Sequence, residues 1–298
     1  MDDDPDPGFG GGWSLEKLDC LEDYLKAFVR ALRDKFRVLM YVDAFAGKGW
    51  HRVRHATRPV SSDGSQHVIA EGSAMRAMRP ENRFDIYRFN DLDSRHVQEL
   101  RDFIEQARQR LLPSVDASVE QTDANTFLLR VAEELKAARS CNQTRAVAML
   151  DPFGMQVNWE SLCALGSTHS VDVWYLVPLG AIARLAPRYS NVRPGWHRRM
   201  VTCFGDLQWQ RYFYREDLTP DLFGGNRRLE RQVGMDVVIR FVEHRLKLAF
   251  PGGLARRPLL LGPARRAPLF GLFFAMANPE PKATAIAMRI ANHLIKRK

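Results

Sequence analysis

The sequence lacks the long apolar segments of membrane and secreted proteins. Nowhere in the 298 residues does an apolar run approach the roughly 18 to 20 residues that cross a bilayer. The start, MDDDPDPGFGGG, has neither the basic nor the apolar region of a signal peptide. These absences predict a cytoplasmic protein with no membrane partner. Hydrophobic residues still make up 45% of the chain, which is enough for a packed core.

Cysteine is scarce and scattered. The four cysteines (Cys20, Cys141, Cys163 and Cys203) form no CxxC pair and no cluster with histidine at metal-ligand spacing. We therefore expect reduced thiols, no disulfide framework and no metal site. The eight histidines likewise show no ligand set or catalytic triad.

Two common nucleotide-binding motifs are missing as well. The glycines around residue 47 do not form GxGxxG, which disfavours a nicotinamide cofactor. Gly47-Lys48-Gly49 lacks both the upstream glycine and the following Ser/Thr of a P-loop. Nucleotide hydrolysis is therefore not expected.

Acidic residues are outnumbered by basic ones, 35 to 44, so the net charge is +9. This excess favours a polyanionic partner such as nucleic acid, with RNA preferred to DNA. Arginines and aromatics concentrate after residue 180, where cations could bind phosphates and flat rings could stack on bases. On helices, however, such aromatics often pack in the core and the arginines face solvent, so both interpretations stay open. The residues concerned are Trp196, His197, Arg198, Arg199, Trp209, Arg211, Tyr212, Tyr214 and Arg215.

Strand-like and helix-like segments alternate along most of the chain. An amphipathic helix after Ser14 leads into the apolar run VLMYVDAF, and further strand–helix pairs follow. Such repeats predict a doubly wound, mostly parallel α/β sheet. We expect a flexible tail over 1–13 and a single α/β domain over 14–298. Within it we expect a mobile loop at 51–67, a helical basic insertion at about 181–257, and a C-terminal strand hairpin with a closing helix.

Polar or small residues follow each of the first four strands of the predicted sheet. In open α/β sheets, ligands bind at these carboxyl ends, near the point where the strand order reverses. Singly, each motif is explained by a tight turn or a helix N-cap, but four in succession favour a ligand site. The four segments are DAFAGKG (Asp43 to Gly49), Asp91, DAN (Asp123 to Asn125) and DPFG (Asp151 to Gly154).

This order resembles the class I S-adenosylmethionine-dependent methyltransferases. The resemblance implies a sheet of that type and S-adenosylmethionine as cofactor. It implies that Asp91 holds the ribose and that Asp123 and Ala124 meet the adenine. Two positions, Ala44 and Ala46, depart from the commoner E/DxGxGxG loop, but DxFAGxG is the variant of amino methyltransferases that act on nucleic acids. The loop residues placed against the methionine part are Asp43, Ala44, Phe45, Ala46, Gly47 and Gly49.

The DPFG segment resembles the [DNS]PP[YF] motif of enzymes that methylate exocyclic amino groups. An amine conjugated to a base ring is a poor nucleophile because its lone pair is delocalised. Acceptors from Asp151 and the Pro152 carbonyl would localise that lone pair, while Phe153 would stack on the base and Gly154 would complete the turn. The alternative is a plain strand–helix turn in which Asp151 caps the helix and Phe153 lies in the core.

Over nearly the whole chain the sequence is similar to the three-Cys-motif partner family, TcmP. The matching segments are LEKLDCLEDYLKAF, YVDAFAGKGW, EGSAMRAM, FNDLD, LDPFG and LFGLFFAMANPEPKATAI. This resemblance implies a companion protein with three cysteines, related to radical S-adenosylmethionine enzymes. Two functions remain open: a methyltransferase for an exocyclic amine of a nucleic-acid base, or a silent scaffold that binds nucleic acid or the three-cysteine partner.

Overall fold

A computed structural model of the protein describes residues 13–54, 67–110, 115–139, 144–186, 192–216, 229–231, 234–263 and 265–298. Its strands, in chain order, are β1 (Val38–Asp43), β2 (Trp50–Arg54), β3 (His67–Glu71), β4 (Ile86–Asn90), β5 (Asp116–Glu120), β6 (Thr144–Leu150), β7 (Val171–Val177), β8 (Tyr214–Glu216), β9 (Leu229–Arg231), β10 (Leu259–Leu261) and β11 (Phe270–Met276).

The helices flank and connect these strands. In chain order they are α1 (Trp13–Leu32), α2 (Ser73–Ala77), α3 (Ser94–Arg110), α4 (Ala124–Arg139), α5 (Trp159–Ser167), α6 (Leu179–Leu185), α7 (Pro194–Phe204), α8 (Gln210–Phe213), α9 (Met235–Ala249) and α10 (Pro281–Arg297).

Seven strands form the central sheet, in the order β10-β11-β7-β6-β1-β4-β5. The five strands from β7 to β5 are parallel, and β11 runs antiparallel between β7 and β10. The chain proceeds outward from β1 through β4 to β5, and then returns to the other side of β1 as β6. The strand order therefore reverses between β1 and β6. This is the doubly wound α/β fold of class I methyltransferase type that the sequence predicts.

Both faces of the sheet are buried, because side chains alternate between two apolar clusters. In β1, Met40 and Val42 join the cluster on one face, while Leu39 and Tyr41 join the cluster on the other. Helices α4 to α9 cover the first face, and α1, α2, α3 and α10 cover the second. A parallel strand between two helical layers is mostly apolar, which explains the run VDVWYLV in β7; its one acid, Asp172, is hydrogen-bonded to Tyr24.

The structure adds detail to the local expectations where the described residues cover them. The two ends of the segment 51–67 belong to strands, because β2 and β3 pair as an antiparallel hairpin. Residues 55–66 lie outside the described residues. The tail at 1–13 also lies outside them, except that Trp13 begins α1. The insertion at about 181–257 is mainly helical but includes the short hairpin of β8 and β9. The C-terminal hairpin is confirmed as β10 and β11.

None of the described helices combines the length and the apolar character that a membrane-spanning segment needs.

A buried carboxyl lies at the amino end of β7. Asp172 accepts a hydrogen bond of 2.6 Å from the hydroxyl of Tyr24 on α1, and both residues are almost inaccessible to solvent. Burial raises the pKa of Asp172 to about 7. Burial also raises the pKa of Asp43, at the end of β1, to about 7. Two acids are therefore protonated in the folded chain at pH values where they ionise in the unfolded chain.

This difference sets the sign of a pH effect on stability. Between about pH 4 and pH 7 these two carboxyls bind more protons in the folded state than in the unfolded state, so their contribution to the free energy of unfolding falls as the pH rises. Asp172→Asn keeps an acceptor for Tyr24 and removes one titrating group. It should lessen the fall by up to about 1.4 kcal/mol per pH unit. Urea denaturation at several pH values in this range measures how steeply the free energy of unfolding depends on pH. Asp236→Asn, at an exposed position, is the control and should leave this dependence unchanged. An unchanged dependence in Asp172→Asn would contradict the raised pKa of Asp172.

Candidate active site

The carboxyl ends of β1, β4, β5 and β6 meet at one edge of the sheet. In register, Asp43 at the end of β1 lies beside Phe89 of β4 and Met149 of β6. The next residues along those neighbours are Asn90 and Leu150, directly followed by Asp91 and Asp151. The predicted site residues are thus brought together at the point where the strand order reverses, as expected for a ligand cleft.

The loop after β1 is fastened to the loop after β4. The backbone N–H of Gly47 donates to Asp91 Oδ2 at 3.0 Å, and the N–H of Ala46 donates to the Asn90 carbonyl at 2.9 Å. Gly47 has φ +59°, and a Cβ placed there would meet no heavy atom within 4 Å. The loop therefore has a fixed backbone and an open side at Gly47, where a ligand can approach closely.

Asp43 does not face this open side, contrary to the sequence-based expectation. Its carboxyl is fully buried, and Oδ2 accepts hydrogen bonds from Ser73 Oγ at 2.6 Å and from the Tyr41 hydroxyl at 3.2 Å. Oδ1 accepts from the backbone N–H of Phe45 at 3.2 Å. Its raised pKa comes first from burial and also from the nearby charge of Asp151. Asp43 therefore stabilises the loop through buried hydrogen bonds.

Asp91 stays at the edge, although its side chain is only 13% exposed. Besides Gly47, it accepts hydrogen bonds from the backbone N–H of Asp93 at 2.9 Å, and it contacts His96 Nδ1 at 3.2 Å. The adjacent Leu92 is 71% exposed and offers an apolar surface beside the carboxylate. Leu92 is not among the residues predicted from the sequence, although a large apolar residue directly after a strand-end acid was a usable signal.

Asp123 makes the helix-cap contacts of the alternative interpretation, and Asn125 makes bridging contacts that the sequence did not predict. Asp123 Oδ1 caps α4, accepting from the N–H groups of Asn125 at 2.9 Å and Thr126 at 3.1 Å. The Asn125 amide donates to the Gln156 carbonyl and accepts from the N–H of Asn158. Asn125 therefore ties α4 to the segment after DPFG, instead of addressing an adenine. Ala124 is the first residue of α4.

Asn90, which is also not among the residues predicted from the sequence, joins three strand ends. Its Nδ2 donates to the carbonyls of Ala44 at 3.2 Å and Thr122 at 3.1 Å, and its Oδ1 accepts from the N–H of Thr122 at 3.2 Å. The Asn90 side chain is buried, so water cannot replace it as the hydrogen-bond partner of these backbone groups. An amide that ends the buried strand FDIYRFN was the available signal.

The DPFG turn presents an acid and an aromatic ring at the same edge. Pro152 is buried, whereas Phe153 is 69% exposed and is therefore not the core residue of the alternative interpretation. Gly154 has φ +79° with open space beside it, so the turn needs glycine there. Asp151 is 28% exposed and forms an ion pair with Lys17 of α1, whose side chain is 11% exposed. Nothing in the local sequence of α1 indicated this partner.

The basic insertion contacts the segment that follows DPFG. Arg199 of α7 donates to the carbonyl of Met155 at 3.3 Å, and the Cys203 thiol contacts the same oxygen at 3.1 Å. Arg198 and Arg211 are exposed. α7 therefore carries positive charge to the neighbourhood of Asp151 and Phe153.

The aromatics of the insertion divide between surface and core. Trp209 and Tyr214 are buried, so for them the core interpretation is correct. Tyr212 is 40% exposed and packs edge-on against Phe241. Trp196 is half-buried under the guanidinium of Arg193. Only Trp196 and Tyr212 of the four rings keep a surface on which a base could stack.

Potential metal ligands and thiols are dispersed within the described part of the chain. No group of three or more potential ligands comes together there. Cys20, Cys163 and Cys203 are free thiols, and Cys141 lies outside the described residues. Burial raises the pKa of Cys20 to about 12 and that of Cys203 to about 11, which keeps both as unreactive thiols.

Loss of the Asn90 contacts should loosen the whole edge. Asn90→Ala leaves the buried backbone groups of Ala44 and Thr122 without their partner, and should lower the free energy of unfolding by about 2 to 4 kcal/mol. Urea denaturation measures this change. Gln109→Ala, on the exposed side of α3, is the control and should change it by less than about 0.5 kcal/mol. A loss in Asn90→Ala no larger than in the control would show that Asn90 does not hold the loops.

Comparison with known proteins gives weak structural similarity alone. No family model matches the chain, and no curated protein matches it. One similar solved structure is a Legionella pneumophila protein of family-model DUF519, with a TM-score of 0.42 and 11% identity, covering 96% of this chain and 94% of that one. Another is an S-adenosylmethionine-dependent methyltransferase from Clostridium acetobutylicum, with a TM-score of 0.36 and 8% identity, covering 87% and 91% respectively. Both scores are low, and the fold assignment depends on the strand order described above.

Proposed function

We propose that the protein is an S-adenosylmethionine-dependent methyltransferase that acts on an exocyclic amino group of a nucleic-acid base. The observation that carries the proposal is the carboxyl edge of the sheet. There an open glycine loop, a strand-end acid and a turn bearing Asp151 and an exposed Phe153 meet where the strand order reverses. This is the location at which open α/β sheets bind ligands.

The residues at this edge fit the proposed cofactor. The space beside Gly47 admits a ligand against the loop backbone from Ala44 to Gly49, and Asp91 offers carboxylate oxygens to ribose hydroxyls. Leu92 supplies an exposed apolar surface for an adenine ring, and Ala124 is the small residue that begins α4. When bound, S-adenosylmethionine would supply a methyl group on a positively charged sulfonium. Asp43 contributes only by holding the loop in shape.

The DPFG turn has the groups that an exocyclic amine needs. Hydrogen bonds from the amine to the Asp151 carboxylate and the Pro152 carbonyl localise the nitrogen lone pair, which makes the nitrogen a better nucleophile. Phe153 is exposed and can stack on the face of an unpaired or flipped base. The carboxylate also favours removal of the proton that the nitrogen loses on methylation.

Lys17 constrains how Asp151 works. The ion pair uses Asp151 Oδ2, so Oδ1 is the oxygen that can accept from the target amine. The same ammonium offsets the negative charge of a carboxylate that lies near the buried Asp43. Lys17 is therefore proposed to fix the orientation of Asp151.

The same ion pair favours a second function. An ammonium on Asp151 occupies part of the place that the target amine would take, which fits a scaffold that has kept the fold without turnover. Such a scaffold would bind nucleic acid or a three-cysteine partner protein through the basic insertion. Variants without Lys17 distinguish the two functions. An enzyme should still transfer methyl groups without Lys17 and should lose this activity when Asp151 is removed as well. A scaffold should transfer no methyl groups with or without Lys17.

Cofactor binding is the first test. Isothermal titration should show binding of S-adenosylmethionine to the wild-type protein, and Asp91→Ala should weaken it about 10- to 100-fold because a charged hydrogen-bond acceptor is lost. Asp93→Ala removes the same charge two residues away, does not touch the glycine loop, and should leave the affinity within about threefold. Absence of binding by the wild-type protein at millimolar cofactor would remove the foundation of the proposal.

The role of Asp151 needs a paired substitution. Asp151→Ala alone would leave the Lys17 ammonium buried without a partner, a defect that costs several kcal/mol and confuses folding with catalysis. Lys17→Met/Asp151→Ala removes both charges, and Lys17→Met alone is its control. With labelled cofactor and total cellular RNA, we expect the double variant to transfer methyl at least about 100-fold more slowly than Lys17→Met. Equal rates, with equal cofactor affinity, would rule out the DPFG assignment.

A further inference from the structure

The turn between β10 and β11 lies at the same edge of the sheet as DPFG. β11 runs antiparallel to β7 and begins beside its last residues, with Gly271 opposite Val177. The N–H of Leu269 donates to the Leu261 carbonyl at 2.9 Å, and the N–H of Gly180 donates to the Leu269 carbonyl at 2.9 Å. These bonds close the hairpin and fasten it to the start of α6. The turn joins β10 and β11, which are three and two strands from β6, so it lies about 10 to 14 Å to one side of DPFG.

Two arginines occupy this turn, and one has an unusual backbone. The N–H of Arg266 donates to the Pro263 carbonyl at 3.3 Å, which closes the turn. Arg265 has φ +63°, in the left-handed region that glycine or asparagine normally fills in turns. A strained residue at such a position suggests a role for its side chain. Both arginines are exposed, and within the described part of the chain neither forms an ion pair.

The hairpin and α7 therefore bring positive charge to the DPFG turn from two different elements. Arg199 on α7 touches the segment just after DPFG, with Arg198 exposed beside it. Arg265 and Arg266 approach from β10 and β11. A guanidinium matches a phosphate with paired hydrogen bonds and does not depend on the base sequence. A nucleic-acid strand that places a base on Phe153 would continue past these arginines.

We propose that Arg265 and Arg266 form a phosphate-binding site for the strand that carries the target base, and that this strand is single-stranded RNA. The inference rests on the proposed function, since it extends the acceptor site along the edge of the sheet. Single-stranded RNA fits because its bases are unpaired and can reach an exposed aromatic ring without disruption of a duplex.

The chain contains a matched control for this site. Arg256 and Arg257 form a second exposed pair of arginines, in the segment just before β10 and thus at the opposite edge of the sheet. Arg256→Ala/Arg257→Ala and Arg265→Ala/Arg266→Ala remove the same charge, the first pair just before β10 and the second pair just after it. Only the distance from DPFG differs.

The experiment measures fluorescence anisotropy of a labelled single-stranded RNA over a salt series, with the wild-type protein and both double variants. Two lost phosphate contacts should weaken binding about 10- to 30-fold near 100 mM salt and lower the slope of log K against log salt by about 1.4. The 256/257 variant should stay close to the wild type. Equal weakening in both variants would show that overall charge alone attracts RNA, and would overturn the site. So would unchanged affinity in the 265/266 variant, which would leave an acidic protein as the candidate partner.

A single substitution separates function from folding at this turn. Arg265→Gly relieves the left-handed backbone, so its melting temperature should equal or exceed that of the wild type, while its RNA affinity should fall about fivefold. Unchanged RNA affinity in this stable variant would contradict the assignment of Arg265.

The cofactor titration keeps this inference distinct from the proposed function. If RNA binding is weakened only in the 265/266 variant and the wild type binds no cofactor, the phosphate site is supported and the methyltransferase proposal is rejected. Cofactor binding with no RNA binding by the wild type would reject the phosphate site and leave the cofactor assignment in place.

Discussion

The central strands are buried on both faces, and this burial determines where polar chemistry can occur in the molecule. β6 and β7 lie between two helical layers, so a charged side chain within them would be desolvated on either side. Polar groups are therefore concentrated at the strand ends, where backbone N–H and carbonyl groups also need partners. Asp43, Asn90 and Asp91 meet these needs at the carboxyl edge, and Asp151 extends into the partly open space beyond it.

Much of the fold could be predicted from the sequence, because its signals are periodic. The alternation of apolar runs with amphipathic segments indicated the parallel sheet, and the apolar runs around the basic turn at Arg265 indicated the C-terminal hairpin. The polar segment HRVRH did not indicate a strand, because it has a single apolar residue. It forms β2 because it pairs with β3, which begins later in the chain at His67.

The candidate site was less predictable, because its decisive contacts join distant parts of the chain. Lys17 and Asp151 are 134 residues apart, and Ser73 buries Asp43 from 30 residues away. The position of Asp43 at the end of a strand predicted that it lies at the edge of the sheet. The exposure of its side chain depends on which residues pack over it. For the same reason the sequence left open whether Trp209 and Tyr214 are surface or core aromatics, and the structure encloses both in the core formed by α7 to α9.

The hydrogen bonds of Asn90 make separate loops into one mechanical unit. The segments after β1, β4 and β5 cannot move apart without exposing buried backbone groups of Ala44 or Thr122. Asn125 adds the segment after β6 through Gln156 and Asn158. A ligand that touches any one of these loops meets the other walls already in position. Little conformational entropy is then lost on binding, and the affinity depends on contacts more than on ordering.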